Sequence, residues 1–373
     1  MKNKLILQIL AGAFFLGIIA IALIMVFNTD QGAPADTAGL KLADYFIELG
    51  GKAVQCRLCP NRCTLSDGQT GLCRARQNID GKLYSLVYGK IASAHNDPIE
   101  KKPLFHFLPG TMSYSIATAG CNMTCNFCQN WSLSQKGPDE VKSRDMTPGQ
   151  VVDEAMAAGA KSIAYTYTEP TIFFEFMRDT AKLAHEKGLK NIMHSNGYIN
   201  PEPLAELIAY LDAANIDLKG MSAKFYAEYT TSGQPDAVKE TLITLKQNGV
   251  WLEVTNLLIP GGNDSEADMR ELAKWIKDNL GSDTPLHFSR FYPTYKLENL
   301  IPTPKETLLR AYDIAIDEGL KYVYIGNIET DNGATTFCPD GSIGIKRIGY
   351  FIAENNLIGG KCKNNEEIAG VWQ

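Results

Sequence analysis

Cys121-Asn-Met-Thr-Cys125-Asn-Phe-Cys128 gathers three thiols in one short loop, at x3 and x2 spacing. Thiolates this close can converge on one metal centre without ordering a long stretch of chain. Three of them can hold three irons of a 4Fe-4S cluster and leave the fourth iron without a protein ligand. Clusters that only carry electrons commonly have four cysteine ligands, so an open iron is a place for chemistry. The alternative is a structural zinc ion, which prefers four protein ligands and would borrow its fourth from His95 or His106.

A second set, Cys56, Cys59, Cys63 and Cys73, is a complete group of four thiolates, with Gly68 and Gly71 allowing the loop to fold back. Zinc and an auxiliary iron–sulfur cluster both fit four cysteines. Reduced thiols packed in a small module are the plainer reading. With Cys338 and Cys362 these seven make nine cysteines, too few and too unevenly placed for a disulfide scaffold in a 373-residue chain.

Such groups need a frame. From Ser113 onward, strands and helices alternate. The pattern predicts strands at Tyr114–Thr118, Ser162–Thr166, Asn191–His194, Ala213–Asp217, Trp251–Leu257 and Leu286–Phe291, with a further one at Tyr322–Ile325. Helical periodicity lies between them at about 147–159, 171–187, 201–210, 235–248, 264–280 and 304–319. Thr147-Pro148 suits a helix start, and Gly188 and Gly249 suit helix ends. Repeated β–α units imply an α/β fold with a parallel sheet, here a partial (β/α)6 barrel, in which the working site gathers at the carboxyl ends of the strands. Cys121, Glu169, Ser195-Asn196 and Asp217-Lys219 each follow one of these strands, so independent polar groups converge on one rim.

Hydrophobic residues at 45% and charged residues at 21% are ordinary for a globular chain, and the net charge of -6 supplies no global attraction for nucleic acid. The amino terminus is different. Leu5 to Phe27 is apolar apart from Gln8, and as a helix it would cover roughly 34 Å, enough for a bilayer core. A retained single-pass anchor is expected, since secretory signals have shorter apolar regions, although Ala33-Pro-Ala35 is an Ala-x-Ala-like cleavage site. Lys2 and Lys4 before the span and Asp30 and Asp36 after it place the bulk of the protein outside the cytoplasm. A need for a low-potential electron donor points to the opposite side, so both remain open. The expected organisation is an anchor at 1–30, a linker at 31–39, a cysteine-rich module at 40–110, the barrel at 111–330 and an extension at 331–373.

The loop Cys121–Cys128, with an aromatic residue before its last cysteine, matches the CxxxCxxC signature of radical S-adenosylmethionine (SAM) enzymes. The run Cys56 to Cys73, Tyr84-Ser-Leu-Val-Tyr-Gly-Lys90, Asp97-Pro-Ile-Glu-Lys-Lys-Pro-Leu-Phe-His106, Cys128-Gln-Asn-Trp131 and Tyr167-Thr-Glu-Pro-Thr171 resembles the AmmeMemoRadiSam-system radical SAM enzymes, relatives of pyruvate formate-lyase activating enzymes. This resemblance covers about 50–373. It implies a 4Fe-4S cluster on Cys121, Cys125 and Cys128, with SAM cleaved reductively to a 5'-deoxyadenosyl radical that takes hydrogen from a substrate. Activation of a partner by glycine hydrogen abstraction is the alternative. From another class comes a membrane-tethered iron–sulfur electron carrier without SAM chemistry. Implied partners are a flavodoxin or ferredoxin as donor and Memo-family and Amme-family proteins.

The resemblance also implies site residues. Glu169 would accept from the SAM ammonium, with a helix-start carboxylate beside Pro170 as the plainer role. Ser195 and Asn196 would lie near the ribose or methionine end, or simply form a turn with Gly197. Asp217-Leu-Lys219 is similar to an Asp-x-Lys element in which the carboxylate helps hold a monovalent cation and the lysine faces the SAM carboxylate. A structural Asp217–Lys219 pair is a poor alternative, because Asp217 should end its strand. His194 stands where the activating enzymes carry an acid, a departure at the cation site. Leu257-Leu-Ile-Pro-Gly-Gly-Asn-Asp264 resembles a segment near adenine that offers backbone contacts. Relatives end in two Cys-x-x-Cys pairs, but Gly341 and Asn365 replace two of those cysteines, so Cys338 and Cys362 could be free, paired with each other, or vestigial.

Overall fold

The computed structural model describes residues 37–372. The expected anchor over Leu5–Phe27 lies outside the described residues, and among those described no helix is long and apolar enough to cross a membrane. The chain divides after Gly39, and everything below concerns the unit that begins at Leu40.

That unit is organised on an eight-stranded sheet: β1 (Ser93–Pro98), β2 (Met112–Ala117), β3 (Ser162–Tyr165), β4 (Lys190–Ser195), β5 (Ala213–Asp217), β6 (Trp251–Leu258), β7 (Leu286–Arg290) and β8 (Val323–Gly326), in sequential spatial order. Strands β2 to β8 run parallel and β1 pairs antiparallel with β2. Six helices cross between the parallel strands: α1 (Pro148–Ala157), α2 (Phe174–Glu186), α3 (Pro201–Ile208), α4 (Pro235–Gln247), α5 (Glu266–Leu280) and α6 (Lys305–Asp317). The expected α/β fold with a parallel sheet is therefore present as six β–α units and a seventh parallel strand, beside the antiparallel edge at β1.

Local chemistry explains the boundaries. Thr147 caps α1 reciprocally with Gln150, its hydroxyl accepting from the Gln150 N–H at 3.2 Å while the Gln150 side chain accepts from the Thr147 N–H at 2.8 Å. Pro148 at the first helical position loses no bond there. Ser265 caps α5. Gly188 and Gly249 follow α2 and α4 with φ near 79° and 78°, a left-handed turn that costs glycine nothing. In α2, Phe174, Met177, Ala181 and Ala184 are buried at helical spacing, while all four residues of β3 are buried, as expected of a strand covered on both faces.

The cysteine-rich module is two small antiparallel sheets, Lys41–Leu42 with Lys82–Ser85 and Arg76–Ile79, and Phe46–Glu48 with Val54–Cys56 and Thr64–Leu65. It is fastened to α2 by the fully buried pair of Arg76 and Glu175, at 2.6 Å, and by the Asp44 N–H donating to the same carboxylate at 2.8 Å. After β8, strands β9 (Thr336–Phe337), β10 (Ile343–Ile348) and β11 (Phe351–Asn355) form a third small sheet. Cys338 and Cys362 are joined by a disulfide, which resolves the three fates left open for them. With Phe105, Tyr322, Tyr324 and Ile368 they pack a separate apolar cluster. The proline-punctuated segment before β2 closes the amino end of the barrel. There Glu253, near the start of β6, accepts from the N–H groups of Phe105 and His106 at 3.0 and 2.8 Å and pairs with His287 at 2.6 Å.

Candidate functional site

The three-cysteine loop leaves the carboxyl end of β2 and is held from several sides. The Thr124 and Asn126 N–H groups donate to the carbonyls of Thr230 and Tyr229, and the Asn126 side chain to the carbonyl of Glu228. The Asn122 side chain donates to the carbonyl of Tyr198 at 2.7 Å and accepts from the Asn196 amide at 2.8 Å. Around the sulfurs, Asn196 Nδ2 approaches Cys121 Sγ at 3.8 Å and Ser134 Oγ lies 3.1 Å from Cys128 Sγ. Burial pushes the Cys125 thiol up to about 12 against the opposing pull of Lys219, and burial, Glu169 and Cys125 push Cys121 well above its ordinary value. These thiols ionise when a cationic centre joins them.

The thiols are close enough to act on one another electrostatically. Among the described residues no group of three or more His, Cys, Asp and Glu side chains is placed to hold a metal ion. The proposed fourth zinc ligand His106 is engaged at the opposite end of the barrel, with Nδ1 2.7 Å from the Ala369 carbonyl and Nε2 2.5 Å from the Tyr324 hydroxyl. His95, on β1, lies edge-on to the Tyr167 ring.

Glu169 is 2% exposed and accepts three hydrogen bonds, from Ser195 Oγ at 2.7 Å, the Asn196 N–H at 2.8 Å and the Thr171 N–H at 3.0 Å. Burial raises its carboxyl, and these donors oppose that rise. It therefore performs the helix-start role through Thr171 and also ties the end of β3 to the end of β4. A carboxylate has about four acceptor positions, so one remains for an ammonium. Ser195 and Asn196 are engaged locally too: Gly197 N–H donates to Ser195 Oγ at 3.0 Å, and Tyr198 N–H to Asn196 Oδ1 at 2.9 Å. Gly197 has φ +69° and an added Cβ would lie 2.8 Å from Ile216, so both the turn and the packing require glycine.

Asp217 ends β5 as expected, yet Lys219 Nζ folds back to its Oδ2 at 2.8 Å, so the ion pair judged a poor alternative is present. The strand does end at Asp217, as that judgement assumed, but the Lys219 side chain reaches back from beyond the strand end to the carboxylate. His194 Nε2 meets the other carboxylate oxygen at 3.1 Å. Although burial pushes the Asp217 carboxyl up, Lys219 and His194 outweigh it and hold it well below the usual carboxylate range. Lys219 also lies 5.6 Å from the centre of the Phe127 ring and opposes the burial that raises the Cys125 thiol.

Several positioning residues escape sequence reasoning. Asn263 donates to the carbonyls of Lys219 and Leu257 and accepts from the Ile259 N–H, folding the segment after β6 against the Asp217 site. Tyr226 offers its hydroxyl to the Lys219 N–H at 3.3 Å. Asn122 and Asn263 lie inside quoted motifs, but their spacing alone distinguishes no role. Cys56, Cys59, Cys63 and Cys73 are brought together in the module beside this rim: the Asn61 side chain donates to the Asn122 carbonyl at 2.8 Å and Asn200 N–H to the Leu58 carbonyl at 3.0 Å.

Residues 115–276 match the Radical SAM superfamily. An uncharacterized protein of Methanocaldococcus jannaschii is 47% identical over 309 residues, covering 83% of this chain and 92% of that protein. A second protein of the same organism, named provisionally as a glycyl-radical enzyme activating enzyme, is 27% identical over 176 residues, 46% of this chain and 70% of its own length. Among solved structures, a radical SAM methyltransferase from Sphaerobacter thermophilus superposes with a TM-score of 0.48 at 17% identity, over 64% of this chain and 71% of that one.

Proposed function

Because the chain belongs to the Radical SAM superfamily, we propose that its rim of strand ends is a radical SAM active site with Cys121, Cys125 and Cys128 as the cluster ligands. The observation that carries this assignment is the convergence of that loop with Glu169, Ser195-Asn196 and Asp217-Lys219 at the ends of four neighbouring strands. A 4Fe-4S cluster with one open iron, when bound with SAM, supplies the electron that splits the sulfonium into methionine and a 5'-deoxyadenosyl radical.

The chain's own residues do the positioning. Glu169, fixed by Ser195, Asn196 and Thr171, offers its remaining acceptor position to an ammonium. Lys219, pinned by Asp217, presents positive charge beside Cys125 and toward a carboxylate. Asn196 donates toward the Cys121 sulfur and fixes the loop through Asn122. The buried frame around the loop limits water access to the reacting atoms.

The finer assignment is to the AmmeMemoRadiSam-system enzymes, supported by the motifs from Cys56 to Thr171. Similarity to a provisionally named glycyl-radical enzyme activating enzyme supports a second reading, in which the hydrogen comes from a glycine on a partner protein. A second metal centre belongs on Cys56, Cys59, Cys63 and Cys73. A flavodoxin or ferredoxin serves as donor, Memo-family and Amme-family proteins are associates, and Leu5–Phe27 anchors the chain in a membrane.

The test is anaerobic: reconstitute the full chain, reduce with dithionite, add SAM and quantify 5'-deoxyadenosine beside a Cys125→Ala variant. Product from the parent alone supports the reading. A parent with full iron load, no product and no SAM effect on its EPR spectrum would favour the electron carrier.

A further inference from the structure

Four cysteines outside the site described above occupy the module that abuts it. Cys56 ends the strand Val54–Cys56, and its N–H donates to the Cys63 carbonyl at 3.0 Å, so the chain between them doubles back and brings both ends together. Cys59 sits in that loop, where Arg62 N–H closes a turn on its carbonyl at 3.1 Å. Cys73 returns from the far side. A Cβ added to Gly71 would lie 3.7 Å from Cys73 Sγ and 3.9 Å from Cys63 Sγ, so sulfurs ten residues apart in sequence flank one glycine.

A cation already stands beside them. The Arg76 guanidinium, 1% exposed, follows Cys73 closely in the chain; its Nη2 donates to both oxygens of Glu175 and its Nη1 to the Asp44 carbonyl, while its Nε has no partner. A buried N–H left unpaired is costly. An anionic sulfur-rich centre on the four thiolates would supply acceptors in its surroundings.

We infer that Cys56, Cys59, Cys63 and Cys73 hold a second iron–sulfur cluster in direct backbone contact with the loop of the first. The contact is tight. Gly120, which precedes Cys121, has φ +99°, and a Cβ there would lie 2.3 Å from the Cys73 carbonyl oxygen. Only glycine admits that approach. Asn61, between Cys59 and Cys63, donates to the carbonyl of Asn122, which follows Cys121. Both neighbours of Cys121 therefore meet the four-cysteine module, Gly120 by packing and Asn122 by a hydrogen bond. One electron from a low-potential one-electron donor can enter at the module and leave through this contact to the first cluster, with no bond made or broken and no proton moved. The relay rests on the radical SAM reading of the first site, whereas occupancy of the four thiols does not.

The full chain with Cys121→Ala, Cys125→Ala and Cys128→Ala, reconstituted anaerobically with iron and sulfide, isolates the second site. Roughly four irons per chain and an EPR signal on reduction are expected, the complement of one 4Fe-4S cluster. One zinc without iron, or no metal in a folded chain, would overturn the inference. Should the triple variant fail to fold, the parent against a Cys56→Ala/Cys73→Ala variant answers the same question: iron should fall from roughly eight to roughly four per chain, and equal iron in both would refute the second cluster. In the fully reduced parent, spin coupling should broaden the signal beyond the sum of the two variants' spectra. A spectrum equal to that sum would refute the contact. These readouts are independent of 5'-deoxyadenosine, so failure of the second cluster is distinguishable from failure of the first site's chemistry.

Discussion

Lys219 Nζ lies 2.8 Å from Asp217 Oδ2, and this contact, made across the end of β5, places a pinned positive charge next to the loop that carries Cys125. His194 Nε2 occupies the second oxygen of the same carboxylate at 3.1 Å. The acid is therefore satisfied on both oxygens by nitrogens of its own chain. Where a related Asp-x-Lys element would hold a monovalent cation between two acids, this chain supplies one acid and a histidine.

The consequence is independence from alkali metal. SAM cleavage by the parent in potassium chloride and in tetramethylammonium chloride, at equal ionic strength, should differ by less than about twofold. His194→Asp places a second carboxylate beside Asp217, and like charges this close cannot both remain ionised without a cation. That variant should lose about tenfold in the tetramethylammonium salt, equivalent to about 1.4 kcal/mol, and regain most of it with potassium. Strong potassium stimulation of the parent would show that His194 does not replace the cation.

Glu169 is the knot between two strand ends. In Glu169→Gln one carboxylate oxygen becomes an amide nitrogen that faces a donor, from Ser195, Asn196 or Thr171. An unmet buried donor costs about 1–3 kcal/mol, so chemical denaturation should show a loss of that order. 5'-Deoxyadenosine formation should fall at least tenfold while the iron content holds, because no cluster ligand has changed. A variant with unaltered stability and turnover would remove Glu169 from the positioning machinery.

Much of this architecture is legible in the residues. The seven parallel strands and six helices fall close to their expected ranges, because β3 and its neighbours are near-continuous buried runs and α1 and α5 carry explicit caps. The strand-end rule then places Cys121, Glu169, Ser195 and Asp217 together. Edge strand β1 is less visible: its Ser-Ala-His-Asn-Asp-Pro run is polar and owes its conformation to pairing with β2. The pairing of Lys219 with Asp217 depends on a chain that turns after the strand, and the disulfide between Cys338 and Cys362 on how a small sheet folds back. Neither follows from local periodicity.

His106 makes stability depend on pH. Burial lowers its pKa from 6.5 to about 4. Its Nδ1–H donates to the Ala369 carbonyl, and Nε2 accepts from the Tyr324 hydroxyl, a bond that requires the neutral ring. Between those two values the unfolded chain binds the extra proton, so this contribution is full above about pH 6.5 and is lost as the pH falls toward 4. The loss amounts to about 3 kcal/mol over that range. Denaturation at pH 7 and pH 5 should show a smaller difference for His106→Asn than for the parent. An identical difference would mean that other groups govern acid stability.

Arg347 ties the extension after β8 to the amino end of the barrel. Its guanidinium donates to the Phe105 carbonyl at 2.7 Å and to Thr336 Oγ1 at 3.0 Å, lies 4.2 Å from the centre of the Phe105 ring, and faces Glu100 at 3.6 Å with both side chains fully buried. Glu100 Oε1 accepts from the Gly110 N–H at 2.9 Å, but Oε2 has no hydrogen bond, so Arg347 provides most of the compensation for its charge. Removing one member of a buried pair leaves the other charged in an apolar setting, at a cost of about 3–5 kcal/mol, whereas replacing both is far less damaging. Arg347→Met should therefore destabilise the chain by that amount, and Arg347→Met/Glu100→Gln should recover more than half of the loss. Additive losses in the double variant would mean that the Phe105 and Thr336 contacts, rather than the charge pair, hold the extension in place.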